Sequence, residues 1–134
     1  MSAALALQMA LVTALRADTP LIALLGGAAI HDGAPQGTAF PHVTLADLSS
    51  LDYSDSAGER EEHFATLLVF SRAGGRREAL EILAAMTAVL DNAALAVTGH
   101  TLVSLVVERT EARRQPDGKT WRGLMRVRAV TEAE

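Results

Sequence analysis

A turn near the C-terminus constrains the fold most. Pro116-Asp117-Gly118 lies in the segment Arg113–Lys119, between two runs that read as strands, Thr101–Ala112 and Thr120–Thr131. Proline fixes φ at one corner of a turn and glycine accepts a positive φ at another, so the chain reverses here. Strands joined by so short a connection pair antiparallel. In the second strand Trp121, Met125, Val127 and Ala129 share one face, the one expected to meet a core; Arg122, Leu124, Arg126 and Arg128 share the other.

Helical patterning brackets further strands. Ala3–Ala17 holds good helix formers and no breaker. Leu7, Leu11, Ala14 and Leu15 make one apolar stripe, and Leu5, Met9 and Val12 make a second on another side. A helix facing a core on one side alone is polar on the other, so the second stripe predicts contact with another subunit. Asp18, Thr19 and Pro20 mark a fresh helix start, and a short helix through Leu25 stops at Gly26-Gly27. Ala28–Pro41 reads as a long loop around a brief strand near Ala29–His31, followed by a strand at His42–Leu48. Ser49–Arg60 reads as a polar, acidic loop carrying Asp52, Tyr53, Asp55 and Glu59. Glu61–Ser71 alternates as a strand, and Arg76–Asn92 is a second main helix with the buried-face spacing Ala79, Ile82, Leu83, Met86, Val89, Leu90. Ala84, Ala85 and Ala88 leave one flank of that helix open to close approach by another backbone.

The expected fold is therefore α+β: a mostly antiparallel sheet of about four to five strands with two main helices on one face, in the order α-β-β-β-α-β-β. A chain of 134 residues holds one such domain, 1–134, with a single core. Since 49% of residues are hydrophobic and only 4% aromatic, that core is built from Leu, Val and Ala. The apolar run Ala3–Leu15 lacks a basic n-region, and at about 13 residues it falls short of a bilayer crossing.

Charge and chemistry narrow the function. The net charge of −4 argues against a protein whose task is gripping nucleic acid. Residues 1–60 carry Arg16 and Arg60 against six carboxylates, whereas the remainder balances. With no cysteine, neither disulfides nor thiolate metal sites can form. His31, His42, His63 and His100 lack metal-ligand spacing, and no catalytic constellation stands out, so no enzyme, cofactor or metal is expected. Gly74-Gly75 before Arg76 and Arg77 reads as an ordinary turn into a helix, without the glycine spacing of a phosphate-binding fingerprint. The row Arg122, Arg126, Arg128 has no interleaved aromatics to stack bases. It is expected to pair with Glu108 and Glu111 or with carboxylates of a neighbouring subunit.

In order along the chain, several turn and strand signatures resemble those of one family. They are Leu24-Leu25-Gly26-Gly27, His31-Asp32-Gly33-Ala34-Pro35-Gln36-Gly37, Phe40-Pro41-His42-Val43, Phe70 to Glu78, Gly99-His100-Thr101-Leu102 and the Pro116-Asp117-Gly118 hairpin. From about Leu5 to Val130 the chain resembles the small tail-completion, or tail terminator, proteins of long-tailed phages, gene transfer agents and prophages. That resemblance implies a virion structural protein assembled in the bacterial cytoplasm. It implies a ring, hexameric in the family, that caps the head-proximal end of the tail tube and docks on the head connector. Its partners would be copies of itself, the tail tube protein and the connector (stopper) protein, with DNA passing through unspecifically and no membrane involved. Leu5, Met9, Val12, Arg122, Arg126 and Arg128 are then the expected subunit or ring interface, and Asp52, Tyr53, Asp55 and Glu59 the expected lumen or adjacent-ring loop. The competing readings are the neighbouring stopper ring itself and a small oligomeric ligand-binding protein or enzyme.

Overall fold

The computed structural model describes residues 1–134. Its elements are α1 (Ala3–Arg16), α2 (Thr19–Leu25), β1 (Ile30–Asp32), β2 (His42–Asp52), β3 (Arg60–Ser71), α3 (Arg77–Leu90), β4 (His100–Arg114) and β5 (Trp121–Ala133). The strands form one sheet in the order β1-β2-β3-β5-β4. Every pairing is antiparallel except β1 with β2, which is parallel. The expected α+β class, antiparallel bias and element order hold, with the short second helix in place. No single helix is long and apolar enough to cross a membrane.

Local chemistry starts and stops the helices. Ser2 Oγ accepts from Leu5 N–H at 3.1 Å and Asp18 Oδ2 from Leu21 N–H at 3.0 Å, each satisfying one orphan donor of a first turn. Gly26 closes α2 at φ 74°, a left-handed conformation that glycine adopts without a Cβ clash. α3 has no side-chain cap; Glu78 in its first turn accepts from Ser71 Oγ at 2.7 Å, tying the helix to the end of β3.

One layer of helices covers one sheet face. Leu7, Leu11 and Leu15 of α1, Leu21 and Leu25 of α2, and Ile82, Leu83, Met86 and Leu90 of α3 join Val43, Leu45, Ala65, Leu67, Val69, Met125, Val127 and Ala129 in one buried cluster. The face expected for β5 is the buried one. Gly123 sits where α3 comes closest: a Cβ there would lie 3.1 Å from Val69 Cβ and from Leu83 Cδ1. Of the small flank of α3, Ala85 packs against the core, while Ala84 and Ala88 are exposed.

The strand boundaries differ from expectation by one or two residues, except at the end of β2, where the difference is larger. The brief first strand is Ile30–Asp32, displaced by one residue from Ala29–His31. The supposed loop Ser49–Arg60 is shorter than expected, its ends being strand: β2 continues to Asp52 and β3 begins at Arg60, with Ser49, Ser50, Leu51 and Asp52 opposite Phe64, His63, Glu62 and Glu61. Serine and aspartate are poor strand formers in isolation, but a long antiparallel partner supplies their hydrogen bonds. A bulge between Leu45 and Asp47 also hides the pattern by breaking the two-residue period.

Candidate assembly surfaces

The outer stripe of α1 is the first surface. Ala3, Ala6, Leu7, Leu11 and Leu15 are buried, whereas Leu5 is 46% and Met9 50% exposed. Val12 is half-buried at the margin, packed against the core cluster. Met9 also borders a shallow depression with Ala10, Ala94 and Leu95. Leu5 and Met9 thus form an apolar surface of a helix whose other side is already committed to the core.

The arginine row lies on the sheet face opposite the helices, and there it meets carboxylates of the same chain. Arg128 Nε donates to Glu62 Oε2 at 2.6 Å. Arg126 lies 3.7 Å from Glu108, and Arg122 3.9 Å from Glu111, which also receives Arg109 and Arg113. The hydrogen bond to Glu62 raises the affinity of the Arg128 guanidinium for its proton. Glu62 was not among the carboxylates expected here; the β3–β5 register brings it to the row, with Phe64 directly opposite Arg128.

The β2–β3 hairpin tip carries the predicted acidic group, with Asp52 at the last strand position and Tyr53, Asp55 and Glu59 beyond it. Asp52 Oδ1 accepts from Ser54 N–H at 3.0 Å and Ser54 Oγ at 2.6 Å, which holds its carboxyl below the usual range. Asp55 Oδ1 accepts from Ala57 N–H at 2.8 Å. Tyr53 stands 48% exposed, with the Arg128 guanidinium 5.8 Å from its ring centre. Two groups chosen separately from the sequence, the row and the loop, therefore meet at Tyr53 and Arg128.

At the other end of the strands is a cationic platform missed by the sequence reading. Arg76 and Arg114 stack on Trp121, 4.7 and 5.2 Å from its ring centre, and Arg72 lies 4.1 Å over Phe40. Arg72 Nε donates to Thr120 Oγ1 at 3.0 Å and Arg76 Nε weakly to the Ala112 carbonyl at 3.4 Å. None of the three makes an ion pair. Runs of arginine beside glycine and proline marked these turns, but only the fold brings residues 72–76 and 114–121 together.

The two sheet edges differ. Asn92 N–H donates to the Leu105 carbonyl at 2.8 Å and Val107 N–H to Asp91 Oδ1 at 2.9 Å, so the segment after α3 occupies the middle of the β4 edge. On the far side, β1 pairs only with Val43, Thr44 and Leu45, which leaves the outer edge of β2 from Ala46 to Asp52 unpaired. An open depression of about 800 Å³ beside β1, lined by Phe40, His42, Phe70 and Arg72, holds no cluster of acids or nucleophiles. No group of three His, Asp or Glu side chains is placed to hold a metal ion.

The exposed apolar and charged surfaces bring together no cluster of reactive groups, and comparisons with known proteins give the class, that of structural, tail-completing proteins. Residues 9–132 match the family model described as tail completion protein gp17, and the chain belongs to that family. A chain of a native gene transfer agent virion is similar at 33% identity and a TM-score of 0.89, with 98% of both chains covered. The gp17 protein of bacteriophage SPP1 is similar at 25% identity and a TM-score of 0.64, covering 95% of this chain and 89% of its own. Comparison with curated protein sequences finds no match. The chain is a structural protein of a phage-type tail, located in the virion or phage-like particle.

Proposed function

We propose that copies of this chain form a closed ring, hexameric as the family resemblance implies, that ends the tail tube at its head-proximal side. The ring meets the tail tube protein on one face and the head connector on the other, and lets DNA pass without specific binding. As a structural ring it performs no catalysis. The observation that carries this reading is the outward pair Leu5 and Met9 on a helix already anchored in the core. An exposed apolar stripe of this kind gains free energy when a neighbour covers it. In a heterologous contact that closes, every copy both gives and receives the same surface.

Arg122, Arg126 and Arg128 are assigned to a neighbouring subunit or ring, with Glu62, Glu108 and Glu111 holding the guanidiniums in register in the free chain. The tip with Asp52, Tyr53, Asp55 and Glu59 faces the lumen or an adjacent ring. Carboxylates along a DNA channel repel phosphates and so ease transit. The test is the mass of the purified chain in solution, then electron microscopy with tail tubes added. Rings, free or seated on tube ends, are the expected result. A monomer that ignores tubes even at high concentration overturns the reading.

A further inference from the structure

We propose that the cationic platform of Arg72, Arg76 and Arg114 receives the acidic β2–β3 hairpin tip of a second copy of this chain. The inference rests on the ring reading above and, in place of the lumen or an adjacent ring, seats the tip against the neighbouring subunit of that ring.

The platform is built rather than incidental. Two of its guanidiniums clamp the Trp121 ring, which is only 8% exposed, and the third covers Phe40. Stacking fixes the plane of a guanidinium while leaving N–H groups at its edge free, so little freedom is lost when a carboxylate arrives. The nearest acid, Asp117, is already engaged: its oxygens accept from Thr120 Oγ1 and from the N–H groups of Lys119 and Thr120. Arg113 is taken by Glu111 and Arg77 by Glu81. The platform therefore presents three cations without a direct ion pair; Arg72 alone has a carboxylate, Asp117, near enough to act on it, and reaches it through Thr120 Oγ1.

The complementary surface is the tip. Asp52, Asp55 and Glu59 are exposed there, and the two nearby cations are already paired, Arg60 lying 3.8 Å from Glu132 and Arg128 donating to Glu62. β3 runs the 12 residues from Arg60 to Ser71 between the two surfaces, which at about 3.3 Å per residue puts them roughly 40 Å apart. One chain cannot bring its own tip to its own platform. A tip-to-platform contact is necessarily head-to-tail between copies, the heterologous type that closes into a ring when the rotation permits. Duplex DNA is the other polyanion such cations could meet; the chain's net charge of −4 and its own matching acidic tip favour the second copy.

Two charge-reversed full-length chains test this, R76E/R114E and D55K/E59K, read as rings in solution and on the ends of tail tubes. Circular dichroism melts of each establish that it folds; the hairpin variant changes only exposed side chains and stands on its own if loss of the Trp121 stack unfolds the platform variant. Each variant alone is expected to need at least about tenfold more protein for half-maximal ring formation than the unaltered chain. Their equimolar mixture is expected to recover, because each unaltered surface finds its partner and the two reversed surfaces match each other in alternation. A hairpin variant that assembles like the unaltered chain overturns the inference, as does a mixture of two folded variants that stays unassembled. Normal rings from R76E/R114E, with loss of salt-sensitive retention of duplex DNA, would assign the platform to DNA instead. If the unaltered chain forms no ring with or without tubes, the ring reading itself falls and takes the inference with it.

Discussion

His63 Nε2 on β3 lies 2.8 Å from Thr131 Oγ1 on β5, while its Nδ1 lies 2.6 Å from Ser50 Oγ on β2, so one fully buried imidazole spans three strands. Hydroxyls on both sides can each donate or accept, and either neutral tautomer is satisfied. Burial pushes the imidazole below the usual histidine value, with Glu61 opposing that shift. The unfolded chain then takes up a proton before the folded one does. Stability is complete above the unfolded value of about 6.5 and is lost as pH falls through it toward the lower folded value. His42, also pushed down by burial, contributes in the same direction. The expected result is a melting temperature that drops from pH 7.5 to pH 5, measured by circular dichroism. His63→Gln should cost about 1–3 kcal/mol at pH 7.5 and flatten part of that drop.

Gly123→Ala tests the closeness of helix and sheet. The new methyl would meet Val69 Cβ and Leu83 Cδ1 at 3.1 Å on the buried side of β5. Overpacking of this kind costs about 1–3 kcal/mol. Urea denaturation should show a lower midpoint with an unchanged slope. An unchanged midpoint would mean that α3 is not held as close to β5 as Leu83 indicates.

The two stripes of α1 should separate folding from assembly. Leu11 is fully buried, so Leu11→Ala is expected to cost about 2–5 kcal/mol. The pair Leu5→Ser and Met9→Ser changes exposed residues, and the monomer's stability should move by less than about 0.5 kcal/mol. Ring formation should nevertheless be lost. A double variant that assembles normally would remove α1 from the interface.

Asp117 organises the β4–β5 turn, and hydrogen bonds from Thr120 and Lys119 lower its pKa to about 2. Its folded value is depressed, so its stabilisation is present above about 4 and disappears as pH falls toward 2. Asp117→Ala should lower the melting temperature at pH 7 and make the acid limb between pH 4 and 2 shallower than in the unaltered chain. Equal limbs would show that the turn does not depend on this carboxylate.

How much of this was legible beforehand differs by residue. Asp18, Pro20 and Gly26 announced α2, and Pro116-Asp117-Gly118 announced the last hairpin, because caps and turns are local chemistry carried by neighbours in the chain. The inward face of β5 and the stripe of α3 followed from periodicity, with Val89 alone left half-buried at the margin. Even the second stripe of α1 was readable, since Leu5 and Met9 fall on the side that Leu7, Leu11 and Leu15 do not use.

Other features needed the fold. Ser49–Asp52 looks like a loop until β3 lies beside it, and the bulge after Leu45 shifts the alternation that would have marked the strand. Glu62 meets Arg128, and His63 meets Thr131, across more than sixty residues of sequence. The clamp of Arg76 and Arg114 on Trp121 likewise joins the start of α3 to the last hairpin. By itself the sequence determined where the chain turns, which stripes are apolar and which family its ordered signatures resemble, because those are properties of adjacent residues and their spacing. Only the tertiary structure decided which arginines are neutralised and which stay unpaired, because strand register, set by packing of distant segments, chooses each charge's neighbour.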